Sequence, residues 1–160
     1  MATYERSVHV RAPFEDVWDF HATVDGLEAL TPNWLHLEIE DVRGPEGDPD
    51  PDEMEPGSTV VASLQPFGVG PRQRTRTRIV ERERSDGEGY FVDEMAGGPF
   101  ARWQHTHRFE AVVGGTRVTD HVSYDLAGGG LGRAASPLAV VGFEPMFRYR
   151  HRRTKALLES

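Results

Sequence analysis

Hydrophobic and polar positions alternate with a period of two along most of this chain and switch to helical spacing near both ends. Tyr4 to Arg11 alternates and predicts a first strand, which Ala12-Pro13 ends. Pro13 suits the first turn of a helix, with Glu15 and Asp16 near its positive end. Phe14, Val17, Trp18 and His21 then follow at helical spacing. Leu27 and Leu30, between Asp25-Gly26 and Thr31-Pro32, predict a second short helix. Trp34 to Val42 reads as strand two, Ser58 to Gln65 as strand three, Gln73 to Arg84 as strand four and Gly89 to Ala96 as strand five. Gly44 to Gly57 is rich in Gly, Pro and acids and reads as a solvated loop. It lacks the spacing and central glycine of an EF-hand, so no metal is expected there. In strand four, Arg74, Arg76, Arg78, Arg82 and Arg84 are expected on the outer face, with Thr75, Thr77 and Ile79 inward.

The sharpest pattern begins at Trp103. Trp103, His105, His107 and Phe109 alternate with Gln104, Thr106 and Arg108, so four rings share one strand face. Two apolar and two titratable rings suit neither a plain core nor a plain solvent face. They suit the wall of a mostly apolar cavity with a few polar groups. Gly114-Gly115 is read as the hairpin turn into the next strand. Pairing Val113 with Thr116 places Tyr124 opposite His105 and Asp120 diagonally beside His107. Val118, Val122 and Leu126 complete that strand's inner set.

Beyond this hairpin, Ala127 to Ala135 is Gly-rich and is expected to be a flexible link. Ser136-Pro137 resembles a helix start, with a capping serine followed by proline. Leu138 to Leu158 reads as one long helix, its inner stripe being Phe143, Met146, Phe147, Arg150, Thr154, Leu157 and Leu158. Pro145 predicts a kink, and the basic residues from Arg148 to Lys155 offset the helix dipole. A sheet of antiparallel strands must bury one face, and the long helix is its cover. The fold class is therefore α+β, with residues 1–160 as a single domain.

Composition narrows the function classes. There is no cysteine, hence no disulfide or thiolate chemistry. The net charge of −8 argues against nucleic-acid or anionic-membrane binding. No apolar run is long enough to span a bilayer. The opening residues lack a signal peptide's apolar segment, so a cytoplasmic location is expected.

The inward cluster His105, His107, Asp120 and Tyr124 permits several chemistries. An imidazole can give and take a proton near neutral pH, Asp120 can orient it, and Tyr124 or Arg150 can hold an oxyanion. The same residues could orient a ligand without chemistry, with Phe100, Trp103, Phe109, Val122, Met146 and Phe147 as apolar wall. They could also merely satisfy one another as buried polar groups. His105 and His107 with Asp120 resemble a His-x-His plus carboxylate metal set. No third ligand is signalled, so no metal and no cofactor are expected. His9, His21, His36, His121 and His151 receive no role.

Three stretches resemble the START-like, polyketide cyclase/dehydrase superfamily. They are Val10-Arg11-Ala12-Pro13-Phe14-Glu15-Asp16-Val17-Trp18, then Phe91-Val92-Asp93-Glu94-Met95 through Gly98-Pro99-Phe100 and Trp103 to Phe109, and finally Phe147-Arg148-Tyr149-Arg150-His151-Arg152. The branch often has glutamine where this chain has Met95, a wall position. The resemblance implies a helix-grip fold, with a curved seven-stranded antiparallel sheet wrapped around a long C-terminal helix and two short helices after the first strand. It implies binding of a small hydrophobic molecule such as a lipid or polyketide, with Met95 added to the wall. The alternative it implies is a cyclase or dehydratase using His105 or His107 as acid or base. Fold alone does not choose between these. A monomer or homodimer is expected.

Overall fold

The computed structural model describes residues 2–135 and 139–159. In order they form β1 (Ala2–Val10), α1 (Phe14–His21), α2 (Val24–Ala29), β2 (Glu38–Arg43), β3 (Thr59–Leu64), β4 (Gln73–Ser85), β5 (Glu88–Gly97), β6 (Phe100–Val112), β7 (Gly115–Leu126), α3 (Gly129–Ala135) and α4 (Val140–Leu158). Short 3-10 turns occupy Asn33–Leu35 and Pro66–Gly68. The strands form one open antiparallel sheet in the order β1-β7-β6-β5-β4-β3-β2. After β1 the chain crosses over through α1 and α2 to β2 at the opposite edge, and the meander from β2 to β7 returns to pair β7 with β1.

Helix α4 lies against the β1 side of the sheet. Glu144 fixes it there. The Tyr4 hydroxyl donates to Glu144 Oε2 at 2.5 Å, and the Arg6 guanidinium donates to Oε1 at 3.0 Å. At the far end, Glu159 accepts from the Arg11 amide at 2.8 Å. The face of α4 turned inward carries Phe143, Phe147, His151 and Thr154, all buried. That spacing is one helical stripe. Leu157, expected on the stripe, is 44 % exposed instead, while His151, not expected there, is buried on it beside Thr154. The helix continues through Pro145. The expected cap at Ser136-Pro137 lies outside the described residues.

Two apolar clusters flank the centre of the inner face. Val10, Phe14, Val17, Trp18, Phe109 and Val118 form one beneath α1. Tyr4, Val122, Tyr124, Phe143 and Phe147 form the other beneath α4, with Phe100, Trp103 and Met146 half-buried at its edge. Trp18 can lie flat on the sheet because Gly89 has no side chain; a Cβ there would meet the indole at 2.7 Å.

Several expectations are corrected. The β6–β7 turn is Val113-Gly114 rather than Gly114-Gly115, so Val112 pairs with Gly115 and the register slides by two residues. Gly115 belongs to the strand, where the end of β1 packs against it: a Cβ there would lie 2.1 Å from the Val10 carbonyl oxygen. A shift of two keeps every side chain on its expected face. It puts Asp120 directly opposite His107, Val122 opposite His105 and Tyr124 opposite Trp103.

The arginines of β4 divide between faces. A bulge at Val80 inverts the alternation, so Arg82 pairs with Phe91 and Arg84 with Gly89 on the inner side. Both guanidinium groups then sit over the Trp18 ring, at 5.0 and 5.9 Å. Arg74, Arg76 and Arg78 stay exposed outside. Strand two starts late, because Pro32 opens a 3-10 turn that His36 closes with φ 48°, and Trp34 stacks on Phe67 at 5.1 Å. The Gly-rich link is helical as α3, where packing on the end of β7 overrides poor propensity.

Candidate functional site

Between the two apolar clusters the inner face is polar. Strand β6 contributes His105 and His107, β7 Asp120, β5 Asp93 and α4 His151, and all five are buried. His105 and Asp93 are cross-strand partners, as are His107 and Asp120. The two imidazoles stack with centroids 3.6 Å apart, and Phe91 covers His107 at 4.0 Å. A carboxylate stands on each side of the stack. Asp120 Oδ1 lies 2.7 Å from His105 Nε2 and 3.3 Å from His107 Nδ1, and its Oδ2 lies 2.6 Å from His151 Nε2. Asp93 Oδ2 lies 2.7 Å from His107 Nε2 and 3.9 Å from His105 Nδ1.

Burial pushes the Asp120 carboxyl toward its neutral form, but hydrogen bonds from three imidazoles outweigh it and hold the pKa well below the usual range. Asp93 is lowered in the same way, its burial outweighed by the His107 hydrogen bond and both imidazole charges. For His107, burial favours the neutral ring, yet the two carboxylates prevail and raise its pKa. His105 goes the other way: burial and the charge of His107 lower it despite Asp120. The two stacked imidazoles are thus shifted in opposite directions. His21, at the end of α1, donates from Nδ1 to the Val17 carbonyl at 2.8 Å.

Toward the end of β6 that starts the strand, the surroundings become aromatic. A bulge at Ala101 turns Phe100 onto the same side as Trp103, and their rings lie 4.8 Å apart. Phe143 faces Tyr124 at 4.8 Å, Trp103 at 5.6 Å and Phe100 at 5.8 Å. Phe147 meets His105 edge-on at 5.4 Å, which joins the aromatic group to the histidines.

The structure thus brings His105, His107 and Asp120 into one cluster, and Phe100, Trp103, Val122, Tyr124, Met146 and Phe147 into one neighbouring group. It does not bring Phe109 or Met95 to that group. Phe109 is sealed beneath Trp18. Met95 borders an open recess of about 460 Å³ with Arg76, Arg78 and Glu94. Arg150 is half-buried on α4. Sequence reasoning missed Asp93 and His151. The signal for Asp93 was its phase: Phe91, Asp93 and Met95 alternate inward, and an acid inside such a set needs a partner. His151 was legible as the next residue of the Phe143–Phe147 stripe at a spacing of four. Asp93, His105 and His107 also offer three ligand atoms within 4.8 Å of one another, a set able to hold a metal ion.

A curved sheet gripping a C-terminal helix, with two short helices after the first strand, defines the helix-grip class of START-related proteins. A START superfamily protein of Mycobacterium smegmatis superposes with a TM-score of 0.61 at 14% identity, covering 97% of this chain and 98% of its own. A protein of Chromobacterium violaceum gives 0.68 at 14% identity, over 100% and 99% of the two chains. Norcoclaurine synthase of Thalictrum flavum, a point mutant solved with a transition-state analogue, gives 0.67 at 13% identity, over 98% and 93%. Within this class the chain belongs to the family described as polyketide cyclase / dehydrase and lipid transport, whose model matches residues 1–159. No curated protein matches it in sequence. Among the described residues no helix is long and apolar enough to cross a membrane.

Proposed function

We propose that this chain binds a small apolar molecule of lipid or polyketide size between α4 and the inner face of β6 and β7. The observation that carries this reading is the half-buried apolar edge of Phe100, Trp103 and Met146, which leads through Trp103 to buried imidazoles. A sealed core has no use for such an edge; the α1 side of the same face shows what a sealed core looks like. The apolar body of the ligand would lie among Trp103, Phe143 and Phe147. A carbonyl or hydroxyl at its end would meet His105. Apolar area removed from water supplies the affinity, and the polar end supplies orientation.

The raised pKa of His107, set between two carboxylates, favours a second reading. That ring would act as acid and base in an aldol-type cyclisation or dehydration of the same ligand.

Titration with dansyl-labelled undecanoic acid tests the binding reading. The expected result is saturable uptake at one probe per chain, weakened in Trp103→Ala and Phe147→Ala and unchanged in Leu157→Ala. Absence of saturable uptake, or equal uptake by all four proteins, overturns it.

A further inference from the structure

The two carboxylates of the cluster meet the imidazoles in different ways. Asp120 faces His105 Nε2, His107 Nδ1 and His151 Nε2, and an ionised carboxylate only accepts. His105 donates to Asp120 through Nε2, whereas His107 Nδ1 faces Asp120 at 3.3 Å without forming a hydrogen bond. The other two nitrogens, His105 Nδ1 and His107 Nε2, face Asp93 Oδ2 at 3.9 and 2.7 Å, and both would present lone pairs to it if His107 took its proton on Nδ1. In that arrangement two lone pairs and a carboxylate oxygen would repel one another unless positive charge lay between them. A proton on His107 Nε2 answers only the 2.7 Å contact. It leaves the buried His105 with its Nδ1 3.9 Å from Asp93, too far for a hydrogen bond. A cation among the three atoms answers both.

We propose that Asp93 Oδ2, His105 Nδ1 and His107 Nε2 bind one divalent transition-metal ion, with Asp120 holding His105 in the ligating tautomer and standing 3.3 Å from His107 Nδ1. Zinc-type bonds are about 2.0–2.2 Å long, which sets ligand atoms of one ion roughly 3–4 Å apart. The His105–Asp93 separation of 3.9 Å already fits, and the His107–Asp93 contact of 2.7 Å must open by a few tenths of an ångström. A divalent charge also offsets two buried carboxylates at once. Two imidazole nitrogens with one carboxylate oxygen suit zinc or ferrous iron; calcium and magnesium prefer all-oxygen shells. A carboxylate accepting from the far nitrogen of a ligating imidazole is the usual support of such a site; Asp120 does this for His105, and it lies close enough to His107 Nδ1 to accept from it once the metal takes Nε2. Three protein ligands leave a fourth position open to water or to a ligand oxygen. This inference does not depend on the apolar-ligand reading. While a metal is bound, it displaces the proton that the acid–base reading assigns to His107.

The test is uptake of zinc and cobalt(II) by full-length protein freed of metal with a chelator. The expected result is one ion per chain, a visible cobalt spectrum of a low-coordinate nitrogen/oxygen site, and a rise in melting temperature with added zinc. Asp93→Asn and His105→Gln should each weaken binding by about 100-fold or more, and Asp120→Asn by about 10–100-fold. His36→Ala and His121→Ala should leave it unchanged. Failure of the wild-type protein to take up either ion overturns the proposal, as does unchanged affinity in Asp93→Asn. If a variant is shown by circular dichroism to be unfolded, the wild-type stoichiometry, spectrum and melting shift decide.

Discussion

The two ends of β6 were built from the same alternation and came to different ends. At one end Phe109 is fully buried, edge-on to Trp18 at 5.5 Å, with α1 closed over it. At the other, Trp103 and Phe100 stay half-buried beneath α4, and the residues between are histidines facing aspartates. The covering element makes the difference. Helix α1 meets the sheet with whole aromatic side chains, and arginines from the bulged half of β4 close its rim. Helix α4 meets it with His151 as well as Phe143 and Phe147, so part of its contact is polar. The α1 contact buries whole aromatic rings with one imidazole, His21, against Phe109 at 4.9 Å, whereas the α4 contact sets His151 against a buried carboxylate.

Asp120→Ala should have the largest effect, because it strands His105 and His151 as buried, unpaired imidazoles. Breaking a buried ion pair by removing one partner costs about 3–5 kcal/mol, which urea unfolding would read. A loss below about 1 kcal/mol would mean that the cluster is hydrated rather than dry. Phe109→Ala should follow at about 3–5 kcal/mol for a buried phenyl, with probe binding intact. Trp103→Ala should lose less stability, about 1–2 kcal/mol for a half-exposed ring, yet abolish most probe binding. Reversal of that order would erase the contrast between the two ends.

The pH dependence sharpens it further. Asp93 and Asp120 have lowered pKa values in the folded protein. Their contribution is therefore complete above the unfolded carboxylate value of about 4 and is lost as pH falls through the folded values. With chelator present, wild-type stability should fall below about pH 4 more steeply than that of Asp120→Asn. Parallel curves would deny Asp120 its charge. The smallest effect belongs to Leu157→Ala on the exposed side of α4, within about 0.5 kcal/mol by the same urea measurement.

Element order, sheet composition and the faces of β6 and β7 were legible in the sequence, because period-two patterning survives a register slip of two. The slip itself was not legible. Gly114-Gly115 reads as the turn, and the close approach of the Val10 carbonyl at the end of β1, which needs a glycine at 115 within the strand, has no local signal. The bulge at Val80 was equally hidden, so Arg82 and Arg84 were expected on the wrong face. His105, His107 and Asp120 were visible as an odd polar group in an apolar set. Asp93 and His151 were not paired with them, because the first comes from a strand on the other side of β6 and the second from a helix distant in sequence. Local patterns carry faces; partners across the sheet depend on register and docking.

Native mass spectrometry of the protein purified from its own host, followed by denaturing analysis of whatever is released, tests the binding reading most directly. The expected result is a lipid- or polyketide-sized molecule at one per chain, released on unfolding and absent from Trp103→Ala. Protein that emerges empty, and stays empty after incubation with an apolar extract of that host, would contradict it.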